Sequence, residues 1–219
     1  MAKDSKTALL LGASGLVGEQ CLSVLLESSY YSAVTILVRK GIALKHPKLN
    51  QLVVDFDRIK DYEAEIKADD VFCCIGTTIG KAGSQAAFKK VDYYYPLQIA
   101  EIALWNGATK FILVSSLGAD SHSAVFYSRV KGKLEEALKK LKFESLLIFR
   151  PSILLGNRKE KRAGEAVGRF VAEKFSFLFA GPLRKYRGTP VDLLARRMLA
   201  ESQKGTKGAR IYENEEILK

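Results

Sequence analysis

The sequence predicts an α/β fold, a doubly wound parallel sheet with helices on both faces. Three observations carry this. Short apolar runs recur along the chain, amphipathic stretches at helical spacing separate them, and the first apolar run ends directly in a glycine-rich turn. A length of 219 residues suits one well-buried core, so a single domain is expected over 1–219.

Residues 7–11 read as the first strand, and 16–26 then set Val17, Cys21, Val24 and Leu25 on one helical face. Further strands are expected near 34–38, 52–55, 71–75, 111–115 and 145–150. A short helix at 62–67, a long one at 86–105 and a third at 125–141 lie between them. Strands alternating with helices at this spacing give a parallel sheet whose ligands sit at the carboxyl ends of the strands. After Pro151 the regularity fades. Helices at 164–179 and 191–203 and a last strand at 209–213 make residues 151–219 a smaller, substrate-covering region on a cofactor-binding core of 1–150.

With 47% hydrophobic and 27% charged residues, disorder is excluded as a description of the whole chain. The net charge of +11 is spread over separate clusters: Lys139, Lys140 and Lys142; Arg158, Lys159, Lys161 and Arg162; Arg184, Lys185 and Arg187. No nucleic-acid-binding module surrounds them, so the surplus reads as a solvated basic face or as attraction for a phosphate-bearing cofactor or anionic substrate. Cys21, Cys73 and Cys74 form neither a disulfide framework nor a CxxC metal pair, and the last two point to opposite faces of a strand. His46 and His122 have no spaced ligand partners, so no metal site is expected. The polar first residues lack signal-peptide character and no apolar stretch reaches the roughly 20 residues of a membrane span, so the expected compartment is the reducing cytoplasm.

Gly12-Ala13-Ser14-Gly15-Leu16-Val17-Gly18 spells GxxGxxG between the first strand and the first helix. Glycine is needed there because the backbone turns sharply, approaches a pyrophosphate and lets helix pack on strand, while the helix amino terminus offers N–H groups to the phosphate. This context makes the fold Rossmann-type and the cofactor a dinucleotide. An acidic residue after the second strand would bind the ribose 2′-hydroxyl of NAD. This chain has Arg39 and Lys40, which suit the 2′-phosphate of NADP, so NADP(H) is preferred over NAD(H). Asp55 and Phe56, ending the third strand, are positioned to border the adenine, although Asp55 reads equally as a turn residue. Gly76, Thr77 and Thr78 begin a run of small residues suited either to the cofactor's ribose and phosphate or to a structural turn.

Tyr127 and Lys131 form YxxxK on a predicted helix, one turn apart on one face. A neighbouring ammonium and an oxidised nicotinamide both favour a phenolate and suit the tyrosine to acid/base work. Ser115 and Ser116 end the strand before this helix, and a hydroxyl there can donate to a substrate oxygen as charge develops on it.

These residues resemble the short-chain dehydrogenase/reductase superfamily, and within it the atypical Tat-interacting oxidoreductase-like group. The resemblance covers nearly the whole chain: GASGLVGE at 12–19, LVRK at 37–40, VVDFD at 53–57, FCCIGTTIGKAGS at 72–84, VDYYYP at 91–96, SSLGAD at 115–120, YSRVKGKLE at 127–135 and FRPSILLGNR at 149–158. It implies that Gly12, Ser14, Gly15, Leu16 and Val17 hold the pyrophosphate, Arg39 and Lys40 the 2′-phosphate, and Tyr127 and Lys131 the reacting end, with Pro151 beside the nicotinamide. Only ten residues separate Ser116 from Tyr127, which leaves both serines as candidate donors, and Asp92 stands where many extended members have asparagine.

The expected function is an NADP(H)-dependent oxidoreductase acting on a small carbonyl or alcohol, with Tyr127 exchanging the proton, Lys131 orienting and tuning, and Ser116 polarising the oxygen. The cluster Arg158, Lys159, Lys161 and Arg162 fits an anionic substrate, and fits a charged surface loop equally well. A regulatory protein that binds NADP(H) with little turnover is the alternative from another class. A nucleotide-sugar epimerase or dehydratase is a third reading, and generally needs a larger carboxyl-terminal lobe.

Overall fold

A computed structural model describes residues 5–156 and 186–219. The expected helix at 164–179, the cluster Arg158, Lys159, Lys161 and Arg162, and Arg184 and Lys185 lie outside the described residues.

Seven strands form one sheet in the order β3-β2-β1-β4-β5-β6-β9: β1 (Lys6–Leu11), β2 (Tyr31–Val38), β3 (Leu49–Val53), β4 (Asp70–Cys73), β5 (Lys110–Val114), β6 (Ser145–Arg150) and β9 (Gly208–Glu213). Every neighbouring pair is parallel, with Leu11 opposite Leu37 on one side and Cys73 on the other. The chain runs outward from β1 through β2 to β3 and then returns to lay β4 on the far side of β1. The switch point therefore falls between β1 and β4, where the crossovers diverge and leave a crevice at the carboxyl ends.

Central strands are apolar without interruption because both faces are covered. Ala8 and Leu10 face one core with Val17, Cys21 and Leu25 of helix α1 (Leu16–Glu27) and Leu194 and Met198 of the helix Val191–Ser202. Leu9 and Leu11 face the other, with Ile99 and Ala103 of the helix Tyr95–Trp105 and Leu134 and Leu138 of the helix Phe126–Lys140. Cys73 belongs to the second core and Cys74 packs against the first, as their alternation in the chain requires. Each fully buried leucine contributes about 1.5–3 kcal/mol.

The helix expected at 62–67 is instead a 3₁₀ helix at Phe56–Tyr62. Asp55 decides this, because its carboxylate accepts the Asp57 N–H at 2.9 Å and starts the turn early, while Phe56 and Ile59 anchor it in the core. The helix expected at 86–105 is interrupted by a π-helical turn, Lys90–Tyr94, between Gln85–Lys89 and Tyr95–Trp105. Pro96 has no N–H for the Asp92 carbonyl and its ring crowds that group, so the helix widens there. A short helix at Ile79–Ala82, ended by Gly83 at φ +80°, occupies part of the small-residue run. Beside the main sheet, β7 (Leu154–Leu155) pairs with β8 (Thr189–Pro190), a contact that the sequence did not announce.

Candidate cofactor and active site

The glycine turn fills the crevice at the switch point. Gly12 has φ +83°, and a Cβ there would stand 2.6 Å from the Cys74 carbonyl oxygen, so the turn is pressed onto the end of β4. A Cβ on Gly18 would lie 1.9 Å from the Gly12 oxygen, which brings α1 hard against the turn. The Gly15 N–H closes the turn on the Gly12 oxygen at 2.9 Å, and the first helical bond runs from Glu19 N–H to the Gly15 oxygen at 2.8 Å. The N–H groups of Leu16, Val17 and Gly18 come before that bond, and Gly15 supplies no side-chain cap. A helix start with uncapped donors and a backbone cradle that any Cβ would fill fits a pyrophosphate. Ser14 is exposed on the turn, Val17 is buried by its side chain, and Leu16 reaches toward Gly156.

At the outer end of the crevice, Arg39 and Lys40 are exposed directly after β2. Next to them, Asp55 caps the 3₁₀ helix with its side chain, and the buried Phe56 ring lies 5.4 Å from Tyr95. The Tyr95 hydroxyl donates to Asp57, which also pairs with Lys90 at 2.7 Å. Partial burial and the bond to Asp57 push the Tyr95 phenol up to about 12, against the opposing charge of Arg39.

At the inner end, β4 runs out through Gly76 and Thr77 toward the helix Phe126–Lys140. Lys131 is buried on this helix with its Nζ 2.8 Å from Asp92 Oδ1, an ion pair whose groups are 5% and 0% exposed. The Thr77 N–H donates to Asp92 Oδ2 at 2.9 Å, and a Cβ on Gly76 would lie 3.3 Å from Asp92 Oδ1 and 3.6 Å from Lys131 Nζ. Burial lowers the Lys131 ammonium, but the charges of Asp92 and Tyr127 outweigh it and hold the group above its usual value. Thr78 caps the short helix after this loop, accepting the Lys81 N–H at 3.3 Å. Tyr127, half-buried one turn before Lys131, lies with its ring 5.5 Å from Phe88.

The two serines part company after β5. Ser115 Oγ donates to Glu135 Oε1 at 2.5 Å, and Glu135 is held by Arg150 through Nε at 3.0 Å and Nη2 at 2.6 Å. Ser116 Oγ is buried with no hydrogen-bond partner among the described residues. The following loop is tied to the helix by Asp120 N–H to the Ser128 oxygen at 3.1 Å, and to Pro151 by Leu117 N–H to its oxygen at 2.8 Å. A Cβ on Gly132 would come within 2.2 Å of Asp120, so that loop lies flat on the helix.

A family described as NAD(P)H-binding matches residues 12–164, which begins at the glycine turn and takes in Tyr127, Lys131 and Pro151. The chain belongs to this NAD(P)H-binding family. Among its relatives, Protein HTATIP2 of Rattus norvegicus is 36% identical over 98% of this chain and 89% of its own length. Protein FMP52-1, mitochondrial, of Scheffersomyces stipitis is 34% identical over 86% of this chain and 80% of its own length. Among solved structures, UDP-glucose 4-epimerase of Thermotoga maritima superposes with a TM-score of 0.70, at 18% identity over 94% of this chain and 76% of that one. The Bordetella bronchiseptica enzyme WbmH in complex with NAD⁺ does so with a TM-score of 0.70, at 14% identity over 95% and 75%. At these identities the structural likeness is one of fold alone.

For an NAD(P)H-binding domain, the structure gathers Gly12, Gly15, Leu16 and Gly18 at one end of β1 and Gly76, Thr77, Asp92, Lys131 and Tyr127 at the end of β4. Sequence reasoning missed Asp92 as the partner of Lys131, and Glu135 and Arg150 beneath Ser115. A signal for Glu135 was present, since it follows Lys131 by four residues and so shares its helical face. The resemblance had singled out Asp92 by its place in VDYYYP, and its pairing with Lys131 across 39 residues is what the structure adds. Among the described residues, no helix is long and apolar enough to cross a membrane.

Proposed function

We propose that this protein is an NADP(H)-dependent oxidoreductase that interconverts a carbonyl and an alcohol. The observation that carries the reading is the placing of Lys131, charged and buried, against the loop at the end of β4 with Tyr127 one helical turn away. When bound, the nicotinamide supplies or accepts the hydride at the substrate carbon.

The protein's own groups do the rest. The cradle of Gly12, Gly15 and the N–H groups of Leu16, Val17 and Gly18 binds the pyrophosphate, with Ser14 at its rim. Arg39 and Lys40 meet the 2′-phosphate, and the backbone at Asp55 and Phe56 borders the adenine. Thr77 and Thr78 pass along the ribose, and Pro151 closes on the nicotinamide side. Ser116 donates its hydroxyl hydrogen to the substrate oxygen, Tyr127 gives or takes the proton there, and Lys131 favours the phenolate as charge moves. Ser116 is preferred over Ser115 because its hydroxyl has no partner among the described residues while that of Ser115 is taken by Glu135.

Titration with NADPH and NADH by nicotinamide fluorescence, in wild type and Arg39→Ala, tests the cofactor site. Tight NADPH binding that weakens in the variant supports it, and screening of carbonyl compounds with Tyr127→Phe as control follows. Binding without turnover of any compound favours the regulatory reading, and no binding of either cofactor sinks both. The proposed compartment is the cytoplasm, while relatives such as FMP52-1 carry the word mitochondrial in their names; cell fractionation decides between the two.

A further inference from the structure

We propose that Asp57, held jointly by Lys90 and Tyr95, is a positioning residue for the adenosine half of the cofactor: this clip fastens the segment after β3 to the helix Tyr95–Trp105 and fixes the adenine wall at Asp55 and Phe56. The proposal deepens the cofactor reading above and rests on it for what that wall faces.

Asp57 is the second residue of the 3₁₀ helix Phe56–Tyr62, in the segment that leaves the carboxyl end of β3. Its Oδ1 accepts the Tyr95 hydroxyl, and the Lys90 ammonium lies 2.7 Å from the same oxygen. In a regular α-helix two residues five positions apart point about 140° away from each other. The π-helical turn closes that angle. Its Tyr95 N–H bonds to the Lys90 carbonyl oxygen, five residues back, which stacks the two side chains on one face and aims both donors at one carboxylate.

The stability of the fold does not call for this clip. Phe56 and Ile59 already anchor the 3₁₀ helix in the second core, and Asp55 starts it by accepting the Asp57 N–H. Asp57 and Lys90 are half-exposed, where an ion pair adds little. What the clip fixes is orientation: the Tyr95 ring lies 5.4 Å from Phe56 while its hydroxyl holds Asp57, so the first turn after β3 is gripped at two points. The same tyrosine feels the charge of Arg39, which sets the clip beside the residue read as meeting the 2′-phosphate. Arg58, the neighbouring cation in the chain, pairs with Asp61 at 2.6 Å and leaves Asp57 to Lys90. A wall ordered before the cofactor arrives lowers the cost of binding it, since no loop has to be immobilised at that moment. Adenine is common to NADPH and NADH, so the clip serves both, whereas Arg39 acts at the position where they differ.

The test compares wild type, Tyr95→Phe, Asp57→Ala and the double variant. Affinities for NADPH and NADH are read by nicotinamide fluorescence and that for adenosine 2′,5′-bisphosphate by calorimetry, each beside a urea unfolding curve of the cofactor-free protein. Tyr95→Phe keeps the ring on Phe56 and removes only the hydroxyl. All three ligands should weaken by the same factor, about five- to tenfold, in each single variant, with the unfolding midpoint close to that of wild type. The double variant should bind no more weakly than Asp57→Ala, because both changes break one contact. Should Tyr95→Phe not fold, Asp57→Ala, altered at an exposed side chain, reads the same quantities. Loss of NADPH affinity alone would place the contact at the 2′-phosphate, and an unchanged bisphosphate affinity would place it outside the adenosine half; either overturns the proposal. A lowered unfolding midpoint with all three affinities intact overturns it as well, by making the clip structural only. If wild type binds none of the three ligands, the cofactor reading itself fails and this proposal with it, whereas wild-type binding that the variants leave intact overturns the clip alone.

Discussion

Ser115 gives its hydroxyl hydrogen to Glu135 at 2.5 Å, and this bond separates two serines that are equivalent in the sequence. Glu135 in turn binds Arg150, which also pairs with Glu213 at 2.9 Å, so the chain of contacts runs from β5 through the helix and β6 to the edge strand β9. The buried Ser116 hydroxyl stands outside this chain.

Replacing the serines one at a time should therefore split stability from turnover. Ser116→Ala is expected to lower kcat by about 10²–10³-fold with an unchanged unfolding midpoint. Ser115→Ala should keep most of the activity and cost about 0.5–1.5 kcal/mol in urea unfolding, because the buried Glu135 Oε1 loses one of its two donors and keeps Arg150 Nε. The opposite pattern would return the donor role to Ser115.

Gly18→Ala tests the cradle. Its Cβ would meet the Gly12 oxygen at 1.9 Å, so helix and turn must move apart. A loss of more than about 2 kcal/mol of stability is expected, with NADPH binding lost even where the variant remains folded. Retained nicotinamide fluorescence enhancement in a folded Gly18→Ala protein would show that the turn does not hold the pyrophosphate.

Cofactor choice should turn on one side chain. On the proposed reading, Arg39→Asp replaces the guanidinium with a carboxylate, a group that binds a ribose 2′-hydroxyl and repels a 2′-phosphate. The ratio of NADPH to NADH affinity should fall by about 100-fold or more, most of it from weaker NADPH binding. Equal loss of both cofactors would mean that Arg39 touches neither ribose.

Acid stability has a separate source in Glu201. Burial raises its carboxyl, but the bonds from Lys204 at 2.8 Å and Tyr212 at 2.9 Å outweigh that and hold it below the usual carboxylate range. A depressed carboxylate contributes stability that is present above its unfolded value, about pH 4.3, and is lost as pH falls through the folded value. Glu201→Gln should flatten that part of the stability curve between about pH 5 and about pH 3, as followed by urea unfolding. An unaltered pH slope would refute the assignment.

Strand positions were legible because a parallel sheet buried on both faces writes continuous apolar runs into the chain; β6 matches its expectation end for end. Helix Phe126–Lys140 was legible from its period, and with it the shared face of Tyr127 and Lys131. The segments that departed from expectation, Phe56–Tyr62 and Lys90–Tyr94, depart where one residue redirects the backbone, Asp55 by capping and Pro96 by removing a donor.

Local sequence thus determined the parallel α/β fold, the glycine turn at its first strand, and the spacing of tyrosine and lysine, since each depends on residues a few positions apart. Tertiary structure alone decided that Asp92 meets Lys131, that Glu135 takes Ser115 while Ser116 has no hydrogen-bond partner among the described residues, and that Gly12 lies on Cys74. Those contacts join residues 20 to 62 positions apart in the chain, and they form only when the crossover at the switch point lays β4 beside β1 and β5 beside β4.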